Sequence, residues 1–486
     1  MTAAPQAISR PAMLLWLAFT LFCLLKLLAL YERPMDYDTG YFGTVARNVF
    51  DGYGYATSHS HKILFNPEIT TGPAVVYPMA ALMAVFGNAY DLPQVYVTVV
   101  NLLLFALFSV LCLSAIGGHW RTASFLGSLY LFGTFYEPLW WHIGVGDLQV
   151  TLVMLNAIVL VSSPVLMQRR WAAPLLGFLL AMGVLVKFSM LMALPALLVA
   201  LLLHCWHRLV SWRKFVAILL VFVAVLSPFF VYKQLVLHAL PDEEKMQVQQ
   251  NALSGGASRQ AAGIGIFIAA DDKLKHVQKS FQRSRAVLAR LSAAYGVSPA
   301  VPFMLMVLSL VVAVYGLVAA VSAGVSFVIL LAWVAGSFVV WYCTVSLGLQ
   351  AKYTLQAIWL SVVLLFYWLA CRSRWPWLGI LLAALLPLLM PSSTREDILR
   401  NYRQDADRRD YRAETKALAA MLASQPQRPP LAYCGWGAVP RSVFYLLPQP
   451  ETTPDCYGIV AQQLQLQADG SVGWRAPVSF WLVRDK

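Results

Sequence analysis

From Pro11 to Leu30 the chain runs for twenty residues with a single charge, Lys26. One helix of that length crosses the hydrocarbon core of a bilayer, and comparable apolar stretches recur down to residue 391 with short loops between them. Soluble globules are about one half apolar and about one quarter charged, whereas these 486 residues are 59% hydrophobic and 12% charged. The expected fold class is therefore a polytopic α-helical membrane protein. Although the first span has the length of a secretory signal, no small-residue cleavage site lies before Tyr31-Glu32-Arg33-Pro34 and many spans follow, so it reads as a retained helix.

A window of about twenty apolar residues per crossing gives about eleven helices, at 12–31, 92–116, 121–137, 147–167, 171–187, 189–206, 214–236, 299–321, 325–347, 353–371 and 375–391. Arg121, the pair Arg169 and Arg170, the cluster Arg208, Arg213 and Lys214, and the pair Arg372 and Arg374 fall in alternate short loops, which assigns that side to the cytoplasm. The reading is then a multi-pass plasma (inner) membrane protein with a cytoplasmic N-terminus. Segments 32–91 and 237–298 and the tail 392–486 lie outside, in the periplasm or the extracellular space.

Two domains are expected: a transmembrane catalytic domain over 1–391, and an extracytoplasmic α/β domain over 392–486. In the tail a charged helical segment, Arg395 to Leu422, leads to a Pro-rich joint. LAYCGW, SVFYLL, YGIVAQQ and VSFWLVR then read as short strands between Gly and Pro turns. Cys434 and Cys456 share this polar region, and in an oxidising compartment they are expected to form a disulfide. Cys23, Cys112, Cys205, Cys343 and Cys371 sit in or beside apolar spans, as small hydrophobes do.

The formal charge of +13 does not point to nucleic acid, because the cations are scattered through short loops without a basic stripe or a binding motif. In loop 237–298 the charge changes from acidic (Asp242, Glu243, Glu244) to a cationic run from Lys273 to Arg290 with Leu274, Val277, Phe281 and Val287 interleaved. This run is either an amphipathic helix on anionic headgroups or a lipid-linked phosphate, or a solvated loop helix.

Chemistry concentrates in Met35 to Thr57, MDYDTGYFGTVARNVFDGYGYAT, where Asp36 and Asp38 stand just beyond the first span. Thr39 to Phe50 keeps Tyr41, Phe42, Val45 and Val49 at helical spacing and reads as an interfacial helix. Acids beside hydrocarbon need water, a cation or substrate. Asp147 opens the fourth span, Lys187 lies at the turn between two short spans, and Lys352 and Tyr353 open the tenth, all on the predicted outer side. Carboxylates and lysines gathered on one face suit a lipid phosphate and an acceptor: a carboxylate takes a proton from an attacking hydroxyl while lysines offset the charge of a departing phosphate. The plainer alternatives are solvated flanking acids and snorkelling lysines. No cofactor is implied; Asp36 and Asp38 are the residues that would hold a divalent cation, through hard oxygen ligands. Glu68, His61 and His142 are candidate acceptor or sugar contacts, with His59, Gly72-Pro73 and Tyr77-Pro78 shaping the approach and Trp140 and Trp141 forming an interfacial belt.

The order of these features resembles the multi-spanning GT-C glycosyltransferases, a group that includes protein O-mannosyltransferases and the aminoarabinose transferase of lipid A. Asp38-Thr39-Gly40-Tyr41 is similar to their acidic motif after the first helix, with Thr39 in place of the usual glutamate. HKILFNPEITTGPAVVYP resembles their second outer segment, Asp147 matches an acid at the fourth span, and Lys187 resembles a lysine that contacts the carrier phosphate. Lys352-Tyr353-Thr354-Leu355-Gln356 is similar to an Arg-Tyr-x-x-Pro pattern, with lysine for arginine and glutamine for proline, which implies a single-point phosphate contact. The resemblance covers residues 12–371. It implies an inverting hexosyl- or pentosyltransferase that moves a sugar from a polyprenyl-phosphate donor to a lipid, glycan or protein hydroxyl, with Asp38 as general base. The rival from another class is a transporter or flippase of a lipid-linked glycan, which calls for midplane charges or repeated halves.

Overall fold

The structure, a computed structural model, describes residues 10–31, 37–56, 64–65, 69, 71–87, 92–116, 119–135, 146–242, 300–323, 325–344, 351–385, 388, 455–458, 464–466, 472–474 and 481–484. Within them the apolar runs are helices: α1 (Arg10–Tyr31), α4 (Leu92–Ala115), α5 (His119–Phe135), α6 (Asp147–Ser162), α8 (Ala172–Val186), α9 (Leu194–Trp206), α10 (Trp212–Ala239), α11 (Ala300–Ala323), α12 (Phe327–Thr344), α13 (Ala351–Cys371) and α14 (Leu378–Leu385). The segment after α1 adds the expected interfacial helix α2 (Tyr37–Phe50) and a further one, α3 (Pro73–Phe86).

Prolines set the breaks that hydropathy alone did not show. The expected helix 147–167 stops at Ser163, because Pro164 has no N–H to continue the ladder. A short helix, α7 (Pro164–Gln168), restarts there with the Ser163 hydroxyl accepting from the Leu166 N–H. Between α8 and α9 the chain makes a 3-10 turn, Phe188–Met192, so the helix expected from 189 begins only at Leu194 with Pro195 in its first turn.

α6 is the hub: residues 147–161 are buried on every side, and α4, α8, α9, α12 and α13 all pack on it. A second core joins α1, α4, α5 and α13 through aromatic rings. Phe22 stacks on Tyr130 at 5.6 Å, Phe105 meets Tyr130 edge-on at 5.4 Å, and Phe125 meets Tyr367 edge-on at 5.6 Å. Lys26, the one charge in the first span, is buried; its ammonium donates to the Gly133 carbonyl at 2.7 Å, in the last turn of α5 where helix carbonyls favour a cation.

The outside of the bundle is apolar. On α10 only Ile218 is buried, while Leu220, Val223, Val231 and Leu235 stand open. Such a surface is costly in water and suits hydrocarbon. Among the described residues α4 and α10 are long and apolar enough to cross a bilayer, and the other apolar stretches are shorter. Basic loops meet in pairs: Arg121 donates to the Cys371 carbonyl at 3.1 Å beside Arg372, and Lys214 donates to the Met167 carbonyl beside Arg169.

Ser109 on α4 bonds the Tyr130 hydroxyl on α5 at 2.8 Å, and its own proton goes to the Phe105 carbonyl. Ser109→Ala is therefore expected to strand a buried hydroxyl and lower unfolding free energy by about 1–2 kcal/mol. Measured in the Tyr130→Phe background, the same change should cost much less.

In the tail the described residues form two antiparallel pairs: β1 (Asp455–Gly458) with β4 (Trp481–Arg484), and β2 (Leu464–Leu466) with β3 (Val472–Trp474). β4 falls inside the expected VSFWLVR strand, β1 begins two residues before the expected YGIVAQQ strand and ends at Gly458, and the β2–β3 pair was not foreseen. Asp36, Glu68, His59, His61, Trp140, Trp141, His142 and Cys434 lie outside the described residues, as do loop residues 243–298 and the segment Arg395 to Leu422.

Candidate active site at the start of α6

Gly146 holds φ +97°, a left-handed conformation that suits glycine, and turns the chain into α6. Asp147 is then the first helical residue, where the helix N-terminus favours negative charge. At the other side of the site, Lys187 ends α8 in an extended conformation, because the following 3-10 turn requires the helix to stop. The two side chains meet: Lys187 Nζ lies 2.7 Å from Asp147 Oδ2, with the residues only 4% and 8% exposed.

A third strand of backbone closes on this pair. Thr71 forms an antiparallel bridge with Lys187, and the Gly72 N–H donates to the Val186 carbonyl at 2.7 Å. The approach is so close that only a residue without a Cβ fits at 72: an added carbon would stand 1.8 Å from the Leu185 carbonyl oxygen. Thr71 is held in turn by the Tyr55 hydroxyl, which donates to its carbonyl, and Tyr55 stacks on Phe65.

The fourth contribution comes from the first turns of α13. Gln356 Nε2 faces Asp147 Oδ1 and Ser189 Oγ, each at 3.4 Å, long contacts that orient more than they bind. Gln356 is 1% exposed, and its Oε1 has no hydrogen-bond partner. The arrangement is a buried anion–cation pair in a polar pocket of four chain segments, and its open chemistry is the binding of a further anion to the ammonium.

Of the residues singled out in the sequence, the structure brings Asp147 and Lys187 into contact. Asp38 lies in the first turn of α2 and Lys352 and Tyr353 in the first turn of α13, with their side chains outside the described part, like that of Cys456 on β1. Among the described residues no three His, Cys, Asp or Glu side chains gather as a metal site; Asp36 lies outside them. Sequence reasoning missed Thr71, Ser189 and Gln356 as site neighbours. The signal for Gln356 was present in the glutamine that stands where the resembling pattern has proline.

No protein-family model matches the chain, and no curated protein matches it in sequence. Among solved structures, ArnT from Cupriavidus metallidurans bound to undecaprenyl phosphate superposes with a TM-score of 0.56 at 12% identity, covering 90% of this chain and 85% of that one. ArnT from the same organism in the apo state gives a TM-score of 0.44 at 15% identity, with the same coverage. In fold, the chain resembles the GT-C superfamily.

Proposed function

We propose that the chain is a glycosyltransferase that moves a sugar from a polyprenyl-phosphate donor to an acceptor hydroxyl at the end of the bundle that carries Asp147 and Lys187. The observation behind this reading is the buried Asp147–Lys187 pair. A solved structure of similar fold holds undecaprenyl phosphate, which supports a polyprenyl phosphate as partner.

Lys187 carries three N–H donors, so it can keep Asp147 and accept a phosphate oxygen at once. Asp147 keeps the ammonium charged and fixed when no donor is bound, and its own charge is opposed by the start of α6. Lys352 and Tyr353, opening α13 beside Gln356, extend the phosphate contact. Asp38 in the first turn of α2 is the general base: its carboxylate takes the acceptor proton as the acceptor oxygen bonds to the anomeric carbon. The bond from that carbon to the phosphate oxygen breaks, polyprenyl phosphate leaves, and attack from the opposite face inverts the centre. Asp36 is the second acid, and Glu68, His61 and His142 contact the acceptor or the sugar. The reaction takes place on the extracytoplasmic side of the plasma membrane, with the tail domain above it.

Purified protein in lipid, offered a panel of radiolabelled polyprenyl-phosphate sugars with membrane extract as acceptor, tests this. Asp38→Asn is expected to lose about a hundredfold or more in transfer while still binding donor. Equal transfer by both proteins removes Asp38 from the base role. Folded, lipid-binding protein that transfers from no donor belongs instead to the transport of a lipid-linked glycan.

A further inference from the structure

On the face of α6 turned away from the Asp147–Lys187 pair lies a polar seam that the proposed reaction does not use. α4 contributes Gln94, Thr98 and Asn101, spaced i, i+4 and i+7 and hence on one helix face. α6 contributes Gln149 and Asn156, seven residues apart and likewise aligned. The register is fixed by Asn156 Nδ2, which donates to the Leu104 carbonyl of α4 at 3.0 Å. Two crossings separate the starts of α4 and α6, so they run in the same direction and Gln149 falls level with the Gln94–Thr98 turn.

All five side chains are at most 3% exposed. Six of their polar atoms nevertheless have no hydrogen-bond partner within the protein: Gln94 Nε2, Thr98 Oγ1, Asn101 Oδ1, both Gln149 Nε2 and Oε1, and Asn156 Oδ1. Each such atom left dry costs about 1–3 kcal/mol, so six along one interface is not a stable arrangement for a close-packed pair of helices.

We propose that the α4–α6 seam is an internal water-binding site. The orphaned atoms include amide donors as well as carbonyl and hydroxyl oxygens. A monovalent cation would satisfy only the oxygens, whereas water gives and accepts, and turning an amide over exchanges one class for the other without removing either. A buried water makes about three hydrogen bonds, so six orphaned atoms and the carbonyls beside them call for about two or three molecules. From Gln149 to Asn156 the seam runs about 10 Å along α6, starting at the end of the bundle that holds Asp147. It forms a blind inlet lined by neutral amides and one hydroxyl.

Pulsed X-ray radiolysis of the full protein in lipid tests this, because hydroxyl radicals born from a bound water label its neighbours even where bulk water does not reach. The expected result is labelling of segments 94–105 and 148–157 several-fold above the buried stretch 330–335 of α12, falling to that level in the Thr98→Val, Gln149→Leu double variant. Labelling of the wild-type seam no higher than the α12 stretch overturns the proposal, whether or not the variant folds. A wild-type seam that stays unlabelled while sodium, compared with choline, raises thermal stability assigns the site to a cation and overturns it equally.

Discussion

Replacing Lys187 by methionine is expected to lower unfolding free energy by about 3–5 kcal/mol, because it leaves the carboxylate of Asp147 buried without its counterion. The effect is large only because both groups are out of water, at 4% and 8% exposure; an exposed pair of the same geometry would be worth under about 1 kcal/mol. Removing both charges together, as Lys187→Met with Asp147→Leu, should recover most of the loss, since an apolar pair of similar volume carries no desolvation cost. Chemical unfolding of the two single variants and the double one gives the coupling directly. A double variant no more stable than Lys187→Met alone would show that the ion pair does not hold the site. If Lys187 also contacts the donor phosphate, the double variant stays stable but does not bind donor, which separates its two roles.

Gly72→Ala is expected to cost more than about 4 kcal/mol, the range in which single changes signal a specific steric conflict. The new carbon would sit 1.8 Å from the Leu185 carbonyl oxygen and 2.6 Å from its carbon, and both are backbone atoms that cannot swing aside. Relief requires parting the 71–72 segment from α8, which breaks the Gly72 to Val186 hydrogen bond and the bridge to Lys187. The control is Gly127→Ala in α5, whose added carbon meets only the Ile380 side chain at 3.6 Å and should leave stability nearly unchanged. Thermal unfolding in detergent distinguishes the two. A Gly72→Ala protein as stable as the Gly127→Ala one would mean that the close approach is not as drawn.

Hydropathy made the spans visible because a run such as Pro11 to Leu30 has few other ways to bury its backbone in lipid. It did not reveal where a span breaks: Ser163-Pro164 and the 3-10 turn after Lys187 are local backbone events inside apolar composition. Asp147 and Lys187 stood out because a charge at the end of an apolar run needs a reason. What joins them to residues 71–72 is a backbone contact between segments more than a hundred positions apart, and Gly-Pro in sequence announces a turn without naming its neighbour. The seam residues Gln94, Thr98, Asn101, Gln149 and Asn156 were in plain view at helical spacing, yet each alone looks like an ordinary polar residue in a long apolar segment.

The brevity of α8 has a mechanical consequence for the membrane itself. Its fifteen residues rise about 22 Å, while the hydrocarbon core of a typical bilayer is about 30 Å thick. A bilayer that keeps Arg169 and Arg170 wet at one end of that helix must thin, or dip, to meet Lys187 at the other. A lipid phosphate arriving there would move sideways into a local depression instead of being lifted out of the headgroup layer.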